Sequence, residues 1–141
     1  MNLGCFTFEE FAARPLPAEP TSLLLIFNQE PEPALFEAVV NKALDEGAFS
    51  FMTWGLSAER YHDWIDEIDV WREIVHPETA KGQDEVTMTS WFSEKPVEEV
   101  GFFFMRLSGI DYSACRYLVL HHGPGPRLQQ LRDWLSGGDN Q

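Results

Sequence analysis

The stretch Leu23-Leu24-Leu25-Ile26-Phe27 is a continuous apolar run with the length of one β-strand. A strand that is apolar at every position is typical of one that is covered on both faces, as in a parallel sheet. An amphipathic helix is predicted next, with Pro33 suited to its first turn and Gly47 to its C-terminal cap. A buried strand followed by such a helix indicates a parallel α/β fold.

The rest of the chain repeats this alternation of strand and helix. Further strands are predicted over 48–54, 85–91 and 116–121, and further helices over 57–75, 93–107 and 126–135. Residues 101–105 would also suit a strand, and residues 108–115 are predicted to form a loop. The pattern predicts an α/β fold, a three-layer domain with a mostly parallel four-stranded sheet and helices on both faces. By analogy with flavodoxin-like sheets, we expect the strand order 2-1-3-4.

A length of 141 residues indicates one domain. We expect that α/β domain to span 21–136, between an N-terminal arm over 1–20 and a polar tail over 137–141. Prolines would keep the arm extended and phenylalanines would dock it on the body: Phe6, Phe8, Phe11, Pro15, Pro17 and Pro20. The two cysteines, Cys5 and Cys115, match no metal or redox spacing and are predicted to be chemically inert.

The charge balance is strongly acidic, with 10 Lys+Arg against 23 Asp+Glu and a formal net charge of −13. Such a surface repels phosphate backbones, so we expect no binding to nucleic acid. The acidity either attracts a protein partner with a basic surface or serves only to keep the protein in solution. Because the sequence shows neither a signal peptide nor an apolar run of membrane-spanning length, we predict no membrane contact and a cytoplasmic location.

The segment 57–75 is predicted to be an amphipathic helix with an acidic outer face. We expect its apolar stripe to face the core: Tyr61, Trp64, Ile65, Ile68, Trp71 and Val75. The opposite face carries five acids, of which the first four are the candidate partner-binding residues: Glu59, Asp63, Asp66, Glu67 and Glu73. One interpretation is a solvated face, and the other is a docking surface for a basic partner, with Trp54 and Trp91 as exposed aromatic anchors.

A second candidate site lies where the predicted parallel strands end, since ligands bind at that edge of such sheets. The residues there predict a small-molecule pocket, for sensing or catalysis: Asn28, Gln29, Trp54, Trp91, His121 and His122. No carboxylate directly follows a strand, which disfavours a magnesium site. Adjacent histidines on a strand point to opposite faces and make a poor chelating pair. We therefore predict no metal, no cofactor and no catalytic residue.

The loop His122-Gly123-Pro124-Gly125-Pro126 joins a strand to a helix. A glycine-containing loop before a helix can bind phosphate through its backbone N–H groups. Because two prolines remove two of those donors, we favour a rigid turn.

The segment Met88-Thr89-Ser90-Trp91-Phe92-Ser93-Glu94, with Glu98-Glu99 and Phe102-Phe103-Phe104, resembles a motif of small bacterial α/β domains. In that motif a Thr-Thr-Trp-His segment precedes an acidic, aromatic helix. This chain departs from it at Ser90 and Phe92. Such domains are similar to immunity and conflict-system proteins, so the resemblance implies an immunity-type inhibitor or accessory subunit of a bacterial toxin or defence system. An oligomer formed through residues 102–104 is a third possibility.

Overall fold

The computed structural model describes residues 3–76, 87–111 and 115–137, and strands and helices alternate through them. The ten elements are β1 (Leu3–Thr7), α1 (Phe8–Ala13), β2 (Thr21–Phe27), α2 (Pro33–Asp45), β3 (Ala48–Gly55), α3 (Ala58–Val75), β4 (Met88–Phe92), α4 (Val97–Asp111), β5 (Arg116–His122) and α5 (Arg127–Gly137). The predicted α/β class with a parallel sheet is confirmed. The connector and strand start predicted at 77–86, residues 112–114 and the tail over 138–141 lie outside the described residues.

The sheet has five strands in the order β1-β5-β2-β3-β4, and every neighbouring pair is parallel. The four predicted strands therefore stand in the order 4-1-2-3, and the predicted order 2-1-3-4 is wrong. The chain moves from β2 through β3 to β4, and α4 then carries it back across the other face of the sheet. Local sequence patterns do not specify the direction in which a crossover moves, because that direction depends on long-range strand pairing.

The predicted extended arm is instead an edge strand and a short helix. β1 pairs with β5 from Leu3 opposite Tyr117 to Thr7 opposite His121. Thr7 begins α1 through a capping box, since its Oγ1 accepts from the Glu10 backbone N–H at 3.0 Å and its own N–H donates to Glu10 Oε1 at 2.8 Å. The hydrogen bond from the Thr7 backbone N–H to the carboxylate lowers the pKa of Glu10, and the Thr7 side chain lowers it further. The docking expected of Phe8 and Phe11 is confirmed, since both rings are buried.

Two cores lie on the two faces of the sheet, so the expected three layers are confirmed. β2 is buried at every position, as predicted, and its side chains point alternately into the two cores. On one face α1, α2 and α3 cover Leu23, Leu25, Phe27, Phe51, Leu118 and Leu120. On the other face α4 and α5 cover Leu24, Ile26, Met52, Trp54 and Val119.

The turn after α2 fastens residues 17–21 to the sheet. Gly47 has a φ of +100°, and a Cβ there would lie 2.1 Å from the carbonyl oxygen of Glu19. Only glycine combines this backbone conformation with such a close approach. The Thr21 N–H donates to Gly47 O at 3.0 Å. The predicted cap of α2 at Gly47 is thus also an anchor for the incoming strand β2.

The segment 97–111 is helical throughout. The strand alternative at 101–105 is wrong, and so is the loop predicted at 108–111. Val100 and Phe104 are both fully buried against the sheet, whereas Phe102 between them is 56% exposed; in a strand all three side chains would share one face. Gly101 lets α5 approach closely, since a Cβ there would lie 2.5 Å from the ring of Trp134.

Candidate interaction surface on helix α3

The inner face of α3 is built as predicted over its first three turns only. Tyr61, Ile65 and Ile68 are buried, and the Tyr61 ring stacks on Phe27 at 4.2 Å between centroids. Burial raises the pKa of the Tyr61 hydroxyl, and the charge of Glu30 raises it further.

The last two members of the predicted stripe are not part of the core. Trp71 is 65% exposed and Val75 is 43% exposed. The Arg72 guanidinium bonds to Asp45, the last residue of α2. The final turn of α3 therefore extends beyond the end of its neighbouring helix and loses that packing partner.

The outward face of α3 is divided into an acidic half and a mainly apolar half, in which Glu73 is also exposed. Asp63, Glu67, Val70 and Ile74 follow one another at spacings of four, three and four residues, so they form one stripe along the helix. Val70 is 55% exposed and Ile74 is 66% exposed. We call the outward residues the α3 surface: Glu59, Asp63, Asp66, Glu67, Val70, Trp71 and Ile74.

A hydrogen-bonded cluster joins the acidic half of α3 to the edge strand β4. His62 Nε2 lies 3.0 Å from Thr89 Oγ1, and His62 Nδ1 lies 2.8 Å from Asp63 Oδ1. Thr89 Oγ1 also donates to Asp66 Oδ1 at 2.9 Å. The ring of Trp91 lies 4.7 Å from the imidazole, on the same face of β4 as Thr89. Three of the predicted partner-binding residues, Asp63, Asp66 and Trp91, are thus brought together around His62.

The three contacts of this cluster require three protons. One proton must lie between His62 Nδ1 and Asp63, one between His62 Nε2 and Thr89, and one between Thr89 and Asp66. A neutral imidazole and a hydroxyl supply two protons together, whereas an imidazolium and a hydroxyl supply three. A neutral imidazole therefore completes two of the three contacts, and its tautomer decides which two they are.

The two tryptophans predicted as exposed anchors have different environments. Trp91 is 46% exposed, as the prediction requires. Trp54 is 3% exposed and its Nε1–H donates to Lys95 O at 3.2 Å, so its assignment as an anchor is wrong. Trp54 points into the core beneath α4 because it shares its strand face with Met52. Among the described residues of α3, Trp71 carries an exposed indole, and we assign it as the aromatic anchor instead of Trp54.

The six residues of the predicted small-molecule pocket do not converge. Asn28 and Gln29 meet the loop after β5: Asn28 Nδ2 donates to Gly123 O at 3.0 Å, and Arg127 Nη1 donates to Asn28 Oδ1 at 2.9 Å. Gly123, with a φ of +85°, packs so tightly that a Cβ would lie 2.6 Å from the Gln29 side chain. This crevice is filled by the protein's own side chains. Trp54 is buried and Trp91 lies beside α3.

The two histidines at the end of β5 point to opposite faces, as predicted. The His122 ring lies 5.3 Å from that of Phe8, on the side of α1. His121 lies on the side of α5, where burial and then the positive charge of Arg132 lower its pKa. Within the described parts of the chain, no group of three or more His, Cys, Asp or Glu side chains is placed to hold a metal ion.

Two candidates from the sequence remain, the Phe-rich segment over 102–104 and the thiol of Cys115. Of the Phe-rich segment, Phe104 is buried, Phe103 packs on Phe92 and Phe102 alone is 56% exposed. Burial raises the pKa of the Cys115 thiol, which disfavours its thiolate.

Sequence reasoning missed His62 and Thr89, which organise the cluster. Two signals were present: His62 and Asp66 are four residues apart on one helix, and Thr89 and Trp91 alternate on one strand. Neither signal indicates that the helix and the strand meet.

Comparison with known proteins gives one match. The model of a family described as "Domain of unknown function (DUF7684)" matches residues 7–137. No curated protein and no solved structure matches the chain significantly. In the described residues, every helix is too short or too polar to cross a membrane.

Proposed function

The chain belongs to the DUF7684 family, and we propose that it is a protein-interaction domain that binds a basic partner through the α3 surface. The observation that carries this proposal is the division of one helix face into a carboxylate half and an exposed apolar half. Trp71 and Ile74, at 65% and 66% exposure, provide apolar area of the kind that anchors interfaces. The carboxylates beside them select a partner of opposite charge.

The net charge supports the same assignment. A formal charge of −13 produces a long-range field that accelerates association with a basic protein. In its most specific form, the proposal is an immunity-type inhibitor or accessory subunit of a bacterial toxin or defence system. The resemblance of residues 86–104 to such proteins motivates this form. An inhibitor of that kind covers a basic groove, such as a nuclease active site, with its own carboxylates.

The proposal is tested by site-specific photo-crosslinking in cells that naturally make the protein. A photoreactive phenylalanine analogue at position 71 should capture a partner, whereas the same analogue at position 102 should not. Phe102 is a matched control because it is 56% exposed and lies on α4, on the other face of the sheet.

The captured protein is then purified and its affinity is measured by calorimetry. We expect Glu59→Lys/Glu67→Lys to weaken binding by at least about tenfold, and added salt to reduce the difference. Glu98→Lys on α4 should leave affinity unchanged. Asp63 and Asp66 are left intact because they also bond to His62 and Thr89. Equal losses of affinity from the Glu→Lys substitutions on α3 and on α4 would overturn the proposal.

A further inference from the structure

β4 is an edge strand of the sheet. It pairs with β3 from Ser50 opposite Met88 to Trp54 opposite Phe92, and no other strand of the described residues pairs with it. An edge strand presents unpaired N–H and C=O groups, which natural proteins usually protect with charges, prolines or bulges. Met88–Phe92 contains no charged residue and no proline. Among the described residues, its outer edge therefore has neither a paired strand nor one of these protective residues.

The two faces of β4 differ in chemistry. Thr89 and Trp91 point to the α3 side, where the Asp66 carboxylate lies 2.9 Å from the Thr89 hydroxyl and remains half exposed. Met88, Ser90 and Phe92 alternate with them and point to the α4 side, where the Phe92 ring packs on Phe103. One face of the edge is therefore acidic and aromatic, while the other is mainly apolar.

We infer that β4 accepts an extended segment of the partner as a sixth strand, with Lys or Arg at alternate positions and apolar residues between them. In such a pair, side chains directly opposite one another lie about 5 Å apart. A cation opposite Thr89 reaches the Asp66 carboxylate, and one opposite Trp91 lies over an indole that is 46% exposed. The apolar side chains of the partner segment, which lie between its cations, pack beside Met88 and Phe92 and enlarge that apolar surface.

This inference deepens the proposed function and rests on it, because both require a basic partner. The difference between the two edges of the sheet argues for β4. At β1 the exposed Cys5 faces Arg132, whose guanidinium lies 3.7 Å from its Sγ, so a positive charge stands where an incoming cation would lie. At β4 the Asp66 carboxylate, beside Thr89, occupies the corresponding position.

The test uses the full chain and the acetylated, amidated peptide Lys-Val-Lys-Val-Lys-Val-Lys as the probe. Titration of ¹⁵N-labelled protein should shift the amide resonances of Met88–Phe92 and slow their hydrogen exchange. A peptide that is N-methylated at the alternate residues whose N–H groups face β4 cannot complete the ladder and should bind about tenfold more weakly. A Glu-Val peptide of equal length should not bind. Asp66→Asn should weaken binding, while Glu98→Gln on α4 should not.

Three results would overturn the inference. The first is equal affinity for the N-methylated peptide, with shifts confined to Glu59, Glu67 and their neighbours. That result leaves binding by the α3 surface intact and removes strand addition alone. The second is protection of β1 in place of β4. The third, an absence of shifts anywhere, counts against strand addition, and crosslinking at position 71 then decides the proposed function separately.

Discussion

The Nε–H of Arg116 donates to Thr21 Oγ1 at 3.0 Å, and so joins the first residues of two neighbouring strands. The same guanidinium donates to Pro17 O at 2.9 Å and to Glu46 O at 3.2 Å. Arg116 is only 6% exposed. One buried cation thus holds the proline-containing segment, the end of α2 and the central strands together through two backbone carbonyls and one hydroxyl, and the Glu19 carboxylate lies 3.9 Å from its Nε.

We expect Arg116→Met to lower the free energy of unfolding by about 3 kcal/mol, because it leaves buried carbonyl groups without a donor. Urea denaturation monitored by tryptophan fluorescence measures this change. Arg132→Met is the control. Because Arg132 is exposed, its replacement should lower the free energy of unfolding by less than about 0.5 kcal/mol. Equal losses in the two variants would mean that the buried hydrogen bonds of Arg116 contribute nothing.

Two serine hydroxyls are buried opposite each other on β2 and β3. Ser22 and Ser50 are register partners with 0% and 1% exposure, and neither Oγ has a hydrogen-bond partner within the described chain. We expect Ser50→Ala to raise the free energy of unfolding by about 1 kcal/mol, because an unsatisfied buried hydroxyl is costly.

The matched variant for that prediction is Thr53→Val on the same strand. Thr53 is equally buried, but its Oγ1 donates to Ala58 O at 2.7 Å. We expect Thr53→Val to lower the free energy of unfolding by about 1 kcal/mol. Thermal unfolding of both proteins checks the pair, and a loss of stability in Ser50→Ala would contradict the interpretation of its hydroxyl as unsatisfied.

His121 makes stability depend on pH. Burial and the charge of Arg132 hold its folded pKa below the ordinary value of 6.5. As pH falls below 6.5, the unfolded chain binds a proton before the folded protein does, so the free energy of unfolding decreases. The contribution of His121 is complete above pH 6.5 and is lost through the window between 6.5 and the lower folded pKa.

We therefore expect the stability of the wild type to fall more steeply than that of His121→Gln between about pH 7 and pH 5. Urea titrations of both proteins at several pH values give the two slopes. Parallel slopes would show that His121 titrates alike in the folded and unfolded states.

The cluster of His62, Thr89 and Asp66 predicts a measurable coupling between α3 and β4. Thr89→Val preserves side-chain shape but removes the hydroxyl, and it should cost about 1 kcal/mol of stability. In a double-mutant cycle with Asp66→Ala, we expect a coupling energy of about 0.5 kcal/mol or more. Hydrogen exchange at Met88–Phe92 should accelerate in each single variant. Additive effects would indicate that the two side chains do not interact.

Local sequence patterns predicted the central part of the fold well. The apolar run at Leu23–Phe27, the prolines around Pro33 and the glycine at Gly47 each produce a signal within a few residues. β1 was missed because Leu3–Thr7 is short, contains Gly4 and is followed by a proline-containing segment. Its pairing with β5 depends on contacts more than a hundred residues away.

The candidate site was predicted less completely, for a related reason. Periodicity placed the carboxylates on the outer face of α3, and they lie there. It also assigned Trp71 and Val75 to the core, because a helical stripe continues whether or not a neighbouring helix is long enough to cover it. Trp54 was expected to be exposed because it lies near a strand end, but the alternation along β3 turns it under α4.

The position of β1 also affects how the chain is made. β5 emerges from the ribosome 109 residues after Thr7, since β5 begins at Arg116, and synthesis of that length takes about 5–20 seconds. Throughout that interval β1 lacks the strand on which it pairs, and the sheet that buries Phe8 and Phe11 is incomplete. The nascent chain thus keeps β1 unpaired, and Phe8 and Phe11 incompletely covered, until β5 has been synthesised.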